Sequence, residues 1–297
     1  MHTSFAHLVD SARESFHRGT LYVVATPIGN LADITLRALA AFAAADVVCA
    51  EDTRVTGQLL SAYGLKCKLV SVREHNERAM AEQVVGWLAE GQIVVQVSDA
   101  GTPAVSDPGA RLVARVREAG HPVSPVPGAS AVVAALSASG LATGRFLFAG
   151  FLPPKSGERR RTLENWLAAD YCVVCYEAPH RLVDTLEDVV ATLGAERPVL
   201  LARELSKTFE TLRLLPAGEL LDWVKSDRNQ QRGEIVLIVD AAPPEERSGE
   251  LDAESERILA LLAAELPTKQ AAGLAAAITG LPRKQLYDAA LALKAGD

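Results

Sequence analysis

The sequence predicts an α/β fold with two α/β domains, a cleft between them and a small helical segment at the C-terminal end. Short runs of Val, Ile and Leu alternate with Ala-rich helical stretches from residue 20 onward, a pattern typical of strands covered by helices on both faces. A polar stretch with paired prolines, GFLPPKSGERRR at 150–161, divides this pattern in two. With 297 residues, 49% of them hydrophobic, the chain can bury two cores.

The first α/β domain is expected at residues 19–149. Its strand-like segments are continuous apolar runs, which indicates strands buried on both faces of a largely parallel sheet. We expect these strands at 21–25, 46–50, 68–72, 93–97 and 122–126, with helices at 34–45, 55–63, 78–90, 110–119 and 129–139.

The second α/β domain is expected at residues 150–242. The pattern predicts helices at 160–168, 181–193 and 217–224, and strands at 172–176, 198–202, 209–215 and 234–239. The strands between 199 and 239 need not all be parallel.

Both ends of the chain lie outside these domains. Residues 1–18 carry acidic side chains and lack the apolar core of a secretory signal, so we expect a poorly ordered extension. Residues 250–297 predict a helical appendage, in which Gly280-Leu281-Pro282 separates the last two of three helices. Helices joined by such a glycine turn resemble a helix-turn-helix, and a packing appendage or dimer contact is an equal alternative.

The composition and charge limit the cellular environment and the binding partners that we expect for this protein. A net charge of -7 gives no general attraction to nucleic acid, so any such partner must meet a local basic patch. No apolar run is long enough to cross a membrane. Cys172 and Cys175 have CxxC spacing, but in the strand-like YCVVCYE they would face opposite sides of the sheet. Buried free thiols in a reducing cytoplasm are therefore expected, rather than a zinc or redox pair.

The segment Val97–Gly109, VSDAGTPAVSDPG, is the strongest sign of a binding site. It connects a predicted strand to a predicted helix and holds Asp99 and Asp107 among small residues and two prolines. Glycine lets the backbone approach a ligand closely, and open α/β sheets bind ligands at the carboxyl ends of their strands. An ordinary strand-to-helix connection is the alternative, but the density of small and acidic residues favours a ligand site.

Polar loops also adjoin the other predicted strands. They are TPIGN (26–30), EDTR (51–54), REHNE (73–77), PGASA (127–131), EAPHR (177–181), RELSKTFE (203–210) and RGE (232–234). Because the carboxyl ends of parallel strands meet at one edge of a sheet, these loops are expected to converge on one crevice between the domains. The common phosphate, dinucleotide and zinc motifs are missing from the sequence, and no metal site is expected around His75.

In their order, the motifs TPIGNL, EDTR, HNE, SDAGTPAVSDPG, PGASA, EAPHR and REL-K-FE resemble those of the small-subunit ribosomal RNA methyltransferase I family. This family belongs to the tetrapyrrole-methylase-like enzymes that use S-adenosylmethionine. The resemblance covers residues 20–242 and, more faintly, the C-terminal helices. It implies a methyl donor in the cleft between the α/β domains, a homodimer, and 2′-O-methylation of cytidine 1402 in the decoding region of 16S rRNA.

The resemblance also assigns residues to the methyl donor, whose activated sulfonium methyl requires neither a metal nor a covalent nucleophile. They are Pro27, Ile28, Asp99, Ala100, Gly101, Thr102, Ser130, Ala131, Tyr176, Glu177, Ala202 and Ile235. Backbone groups are expected to make most of these contacts, which explains why the loops consist of small residues. For Asp99, a role as a cap of its own loop is an equal alternative.

The reaction needs a group that accepts the hydroxyl proton as the ribose oxygen attacks. His75 is favoured, because an uncharged imidazole accepts a proton directly at neutral pH. Further candidates are Glu177, Lys207, Glu51, Asp52 and Glu204, and an ion pair lining the crevice is the alternative role for each of them. If His75 is the acceptor, His75→Ala retains donor binding and loses turnover, whereas an unchanged single-turnover rate would remove it.

The rRNA is expected to meet a basic segment at the start of the second domain. Its cations are Lys155, Arg159, Arg160 and Arg161. Contacts to phosphates position a substrate without reading its sequence, and a solvated helix start is the alternative. Because the chain is acidic overall, a target presented on the assembled ribosomal subunit is favoured over free RNA.

Two other functions stay open at this point. A small-molecule methylase of the same group would act on a tetrapyrrole or similar ring, and it predicts an apolar acceptor cleft without a basic rim. A non-catalytic RNA-binding or ribosome-assembly module would use the C-terminal helices and would fail to bind S-adenosylmethionine.

Overall fold

The computed structural model describes residues 5–141, 144–243, 251 and 253–295. The chain divides into two compact units, Met1–Ala241 and Ala242–Asp297. The first unit contains two five-stranded sheets, and the second consists of helices.

The N-terminal segment is folded, contrary to expectation. Residues Phe5–Arg13 form helix α1, from which Val9 and Ala12 pack on the core of the first sheet. Phe16 is buried, and its ring lies edge-on to Tyr22 with 4.7 Å between ring centroids. Burial of these apolar side chains orders the segment, so the prediction of disorder for residues 1–18 was wrong from residue 5 onward. Residues 1–4 lie outside the described residues.

The first sheet is parallel throughout, as its apolar runs predict. Its strands are β1 (Leu21–Val24), β2 (Val47–Ala50), β3 (Lys68–Ser71), β4 (Val94–Val97) and β5 (Val123–Val126), in the order β3-β2-β4-β1-β5. The helices between them are α2 (Leu36–Ala44), α3 (Thr53–Ala62), α4 (Glu77–Ala89), α5 (Ala110–Glu118) and α6 (Ala131–Ser137). Val48 and Val95 are buried on one face and Cys49 and Val94 on the other, so helices cover both faces.

The second sheet is mixed. Its strands are β6 (Phe146–Phe151), β7 (Cys172–Glu177), β8 (Pro198–Arg203), β9 (Thr211–Pro216) and β10 (Ile235–Val239), in the order β6-β7-β10-β8-β9. Strands β6 and β7 pair in parallel, whereas the other neighbours are antiparallel. Helices α7 (Ser156–Glu164), α8 (Leu182–Leu193) and α9 (Ala217–Ser226) cover one face. Cys175 points to that face and Cys172 to the opposite one, and both are buried, which confirms that the two cysteines face opposite sides of the sheet.

The second sheet begins earlier than the sequence indicated. Strand β6 starts at Phe146, inside the predicted first domain, and GFLPPKSGERRR contributes the end of β6 and most of α7 rather than a linker. The strand lies at the sheet edge, and its register shifts between Phe148 and Gly150. An irregular edge strand that ends beside two prolines lacks the clean apolar signal of the central strands.

One apolar core joins the two sheets. Val132 and Ala135 of α6 pack with Val174, Leu200 and Val236 on the face of the second sheet that α7–α9 leave open. Helix α6 therefore follows the last strand of the first sheet in the chain but packs on the second sheet. This core places the carboxyl ends of the first sheet's strands against the second sheet.

The C-terminal unit contains the three predicted helices, α10 (Ala253–Glu265), α11 (Thr268–Thr279) and α12 (Arg283–Ala295). Leu259, Ala272 and Leu286 are fully buried in its core. Gly280 ends α11 with a left-handed φ of 72°, as the Gly-Leu-Pro sequence predicts. Within the described ranges, no helix has the length and apolar character that crossing a bilayer requires.

A buried carboxylate fixes the end of the segment Val97–Gly109. Glu77 Oε1 accepts hydrogen bonds from the backbone N–H groups of Gly109, Arg111 and Leu112 at 3.0, 2.9 and 3.1 Å. The first N–H groups of a helix have no partner inside the helix and favour negative charge. Because Gly109 has no side chain with which to cap α5, Glu77 supplies the cap from α4.

We expect Glu77→Ala to lower the free energy of unfolding by about 2–4 kcal/mol, because it leaves buried donors without an acceptor. Urea denaturation measures this loss. The matched control is Glu82→Ala on the same helix, which breaks an exposed pair with Arg115 and should change stability by less than about 0.5 kcal/mol. Equal effects of the two substitutions would contradict the capping role.

Candidate functional site

A cavity of about 380 Å³ lies where the strand ends of the two sheets meet, a volume within the usual range of ligand pockets. It is lined by ten of the twelve residues expected at the donor: Ile28, Ala100, Gly101, Thr102, Ser130, Ala131, Tyr176, Glu177, Ala202 and Ile235. The first sheet contributes the loops after β1, β4 and β5. The second contributes the ends of β7 and β8 and, because β10 runs antiparallel to both, the beginning of β10.

Backbone hydrogen bonds hold the segment Val97–Gly109 over the end of β1. Thr26 N donates to Gly101 O at 2.9 Å, and Gly101 N donates to Thr26 O at 3.1 Å. Thr102 Oγ1 donates to Ala129 O at 3.1 Å, which ties the segment to the loop after β5. Gly101 has a φ of +74°, and a Cβ atom there would lie 3.3 Å from Ile28 Cγ2. The positive φ and the close approach of Ile28 both explain why position 101 is a glycine.

Pro27 and Asp99 face away from this cavity. They line a second concavity of about 320 Å³, together with Leu31 and Val55. Asp99 Oδ1 accepts a hydrogen bond from Asp52 N at 3.0 Å. Its observed contact is therefore structural, and it joins two loops rather than capping the loop of Asp99 itself.

Glu177 reaches the cavity, but structural bonds occupy its carboxylate. Oε1 accepts from Ala178 N at 2.7 Å, Oε2 accepts from Thr185 Oγ1 at 2.6 Å, and Arg181 Nε lies 3.3 Å from Oε1. The side chain is fully buried. This arrangement matches the ion-pair alternative, because both oxygens of the carboxylate already have partners.

Lys207 lies outside the cavity lining and links the two sheets. Its Nζ lies 2.9 Å from Glu204 Oε1 and 3.0 Å from Glu234 Oε2. Burial lowers the pKa of Lys207, but the hydrogen bonds to these two carboxylates outweigh burial and raise the pKa overall. Lys207 therefore stays charged and is a poor proton acceptor. Its alkyl chain covers Gly29, where any Cβ atom would collide with it.

His75 lies in an exposed turn between β3 and α4 and does not line the cavity. Strand β3 is an edge strand of the first sheet, two positions from β4, whose loop lines the cavity, and three positions from β1. At the usual spacing of strands this is roughly 10–14 Å. Arg73, two residues before His75, forms an ion pair with Asp52 of the loop after β2, with 3.9 Å between Arg73 Nη2 and Asp52 Oδ2. The role of His75 as proton acceptor stays a prediction without a contact to support it.

The structure adds Asp107 to the cavity, which the sequence did not single out as a site residue. Burial raises the pKa of Asp107, a hydrogen bond from Ser98 lowers it, and the charge of Asp99 raises it again, with a net increase. Burial and the nearby charges of Asp107 and Glu234 likewise raise the pKa of Tyr176. The sequence does show two carboxylates in the segment Val97–Gly109, but it does not show which of them faces the cavity.

The basic segment divides into buried and exposed cations. Arg159 Nη2 lies 2.6 Å from Asp188 Oδ2, and the Arg159 side chain is only 3% exposed. Arg160 pairs with the other oxygen of Asp188 at 2.6 Å. This corrects the expectation for Arg159, which has no surface to offer a phosphate. Arg160 remains half exposed despite this pair, and Lys155, which pairs with Glu158, and Arg161 are exposed, so these three cations stay available for RNA.

Comparisons with known proteins agree with the geometry. Residues 20–221 match the family of Tetrapyrrole (Corrin/Porphyrin) Methylases, and residues 249–294 match the RsmI C-terminal HTH domain. A solved uroporphyrin-III-C-methyltransferase from Thermus thermophilus is 25% identical, with a TM-score of 0.53 over 75% of this chain and 94% of that one. The methyltransferase CobJ, 21% identical, shares the fold with a TM-score of 0.57 over 75% of this chain and 95% of its own.

Full-length relatives are more similar. Ribosomal RNA small subunit methyltransferase I of Neisseria meningitidis serogroup A is 58% identical over 98% of this chain and 99% of its own length. The protein of the same name from Escherichia coli O157:H7 is 52% identical over 92% of this chain and 95% of its own. The chain is a methyltransferase with a tetrapyrrole-methylase-like fold, and it belongs to the ribosomal RNA small subunit methyltransferase I family.

Proposed function

We propose that this protein transfers the methyl group of S-adenosylmethionine to the 2′-hydroxyl of cytidine 1402 in 16S rRNA, within the small ribosomal subunit in the cytoplasm. The observation that carries this function is the cavity beneath the segment Val97–Gly109, which both sheets enclose together. Had this segment lain on the outer surface, remote from the second sheet, the residues assigned to the donor would not share a pocket.

The cavity lining suits a donor with a flat base and polar edges. Ile28, Ala202 and Ile235 offer apolar walls, while the backbone of Ala100 offers a polar edge. When bound, S-adenosylmethionine supplies an activated methyl group, and the main contribution of the chain is to hold donor and ribose in line.

Two features of the second sheet support RNA as the acceptor. Phe151, at the end of β6, is exposed and lines the cavity, with its ring 5.5 Å from that of Tyr176. Exposed aromatic rings are common stacking surfaces for unpaired RNA bases. The chain then leads directly to the exposed cations Lys155 and Arg161. A methylase acting on a small ring would not need such a basic rim.

The proposal includes a homodimer, which the exposed edge of the second sheet supports. Phe146 and Leu147 of β6 are 53% and 43% exposed on an edge strand. Apolar edge strands of this kind are usually covered by a partner. A second copy of the chain would remove this apolar surface from water.

The direct test uses labelled S-adenosylmethionine and small ribosomal subunits that lack the modification. We expect label on the ribose of cytidine 1402, with faster transfer to intact subunits than to free 16S rRNA. Mapping of the methylated nucleotide by mass spectrometry gives the position and the atom. Label on a base, on another nucleotide or on no RNA would contradict the proposal.

Ala100 allows a test of the donor pocket, because its side chain is exposed and lines the cavity. We expect Ala100→Trp to fill the cavity and to weaken S-adenosylmethionine binding at least about tenfold, a cost of about 1.4 kcal/mol. Calorimetry measures the affinity. Ala114→Trp, at an exposed position of α5 away from the cavity, is the matched control and should bind the donor normally. Normal donor affinity of Ala100→Trp would place the donor elsewhere.

The exposed cations Lys155 and Arg161 are tested by charge reversal. The double variant Lys155→Glu and Arg161→Glu should bind small subunits more weakly at low salt. Its plot of log affinity against log salt should be shallower by roughly one unit for each phosphate interaction that the substitutions remove. Lys66→Glu, an exposed cation on the first sheet's side of the molecule, controls for net charge. Identical salt dependence of the double variant and the control would exclude this segment from the RNA interface.

A further inference from the structure

The acidic side chains around the cavity differ in what neutralises them. Three carboxylates line it, those of Asp107, Glu177 and Glu234. Glu177 is paired with Arg181, and Glu234 is paired with Lys207. Among the residues that the structure describes, Asp107 has no ion pair, and the nearby hydroxyl of Ser98 only partly offsets the rise of its pKa. Asp107 is thus the carboxylate at this cavity that remains available to a proton.

The backbone around Asp107 is held in an unusual conformation. Ala104 and Ser106 both have a φ of 64°, in the left-handed region that residues with a side chain rarely adopt. Such conformations persist where the surroundings determine them, and they cluster at functional sites. Neighbouring groups lie close to the chain on both sides of Asp107. Glu77 accepts a hydrogen bond from Gly109 N. Gly150 lies so close to Ser106 that a Cβ atom on Gly150 would be 3.1 Å from Ser106 Oγ. Asp107 therefore sits on a segment fixed at both ends.

We propose that Asp107 is the catalytic base of the methyl transfer, an assignment that rests on the function proposed above. Its carboxylate removes the proton of the ribose 2′-hydroxyl as that oxygen forms a bond with the methyl carbon. The carbon–sulfur bond breaks at the same time, and its electron pair stays on sulfur, which yields S-adenosylhomocysteine and the methyl ether. The proton ends on Asp107 and passes to water after the product leaves.

The electrostatic surroundings suit this task. Burial and the charge of Asp99 raise the pKa of Asp107 despite the hydrogen bond from Ser98, so that its carboxylate is a stronger base than an exposed one. Two further titratable groups, Glu51 and Tyr176, interact with Asp107. Burial and the charges of Asp99 and Asp107 raise the pKa of Glu51. Burial and the charge of Asp107 contribute to the raised pKa of Tyr176. Glu77 is engaged by backbone N–H groups at the end of the same segment. No cation of the described chain offsets this negative charge through an ion pair with Asp107.

The test compares Asp107→Asn, Asp107→Glu and the matched carboxylate control Glu82→Gln in single-turnover reactions on unmodified small subunits. Asp107→Asn should lower the rate by about 10²–10⁴-fold, the usual contribution of a general base. Its affinity for S-adenosylmethionine in calorimetry should stay within about threefold of wild type. Asp107→Glu should recover at least part of the loss, and Glu82→Gln should react at the wild-type rate.

The pH dependence has a defined sign. Asp107 must be ionised to accept a proton, so the wild-type rate should fall as the pH drops through its raised pKa. The residual rate of Asp107→Asn should lack that acid limb. Asp99→Asn keeps a side-chain oxygen that can accept from Asp52 N while removing the charge that raises the pKa of Asp107, and it should move the limb to lower pH.

Stability gives a readout that is independent of catalysis. Because folding raises the pKa of Asp107, its ionised form disfavours the folded state, an effect present at neutral pH and absent below the pKa of the unfolded chain. Asp107→Asn should therefore raise the melting temperature at pH 8 by about 1–3 °C and leave it unchanged near pH 3. A carboxylate that merely caps its loop would show the opposite sign, a lower melting temperature at pH 8.

The outcomes separate this assignment from the proposed function. Wild-type protein that labels cytidine 1402, together with Asp107→Asn within threefold of its rate, would overturn the role of Asp107 and leave the function intact. A loss of rate matched by an equal loss of donor affinity would also overturn it, since Asp107 would then act in binding. Wild-type protein that labels no RNA would overturn the function and the catalytic role with it.

Discussion

The arrangement of the site depends on the pair of backbone hydrogen bonds between Thr26 and Gly101. They hold the segment after β4 against the end of the neighbouring strand β1, so that Ala100, Gly101 and Thr102 face the second sheet. Each such bond contributes only about 1 kcal/mol to stability, but their geometry decides which side of the segment faces the cavity. Asp99 and Glu77 hold the same segment at two further points through bonds to other loops and helices.

The core between α6 and the second sheet complements these polar contacts. Burial of a side chain such as Val132 or Leu200 contributes about 1.5–3 kcal/mol, and the shared core contains several such side chains. The strands form two separate hydrogen-bonded sheets, and this apolar core holds the sheets together in addition to the contacts between their loops. The cavity lies at the edge of this core, where Ile28 and Ala202 belong to both.

Charged groups serve two different purposes in this molecule. Glu177 with Arg181, Glu204 with Lys207, and Asp188 with Arg159 and Arg160 are pairs that fix loops and helices of the second sheet. A buried pair of this kind is costly to break, because the remaining charge would be left uncompensated. Asp107 is half-buried and has no ion pair, and the hydrogen bonds of its segment to Glu77 and Thr26 hold it in place.

The sequence by itself determined the parallel first sheet and the three C-terminal helices, because apolar periodicity is a local property of the chain. Its resemblance to the family assigned twelve residues to the donor, ten of which the structure brings to one cavity. It could not determine which charged residues are free to act, since ion pairs depend on distances between segments far apart in the chain. Arg159 meets Asp188 across 29 positions, and His75 follows an edge strand and does not line the cavity. Asp99 and Asp107 differ only in the direction that the folded segment imposes on them. Only the tertiary structure decided these points, and it also decided that α1 and β6 are ordered, because both are stabilised by packing and pairing with distant parts of the chain.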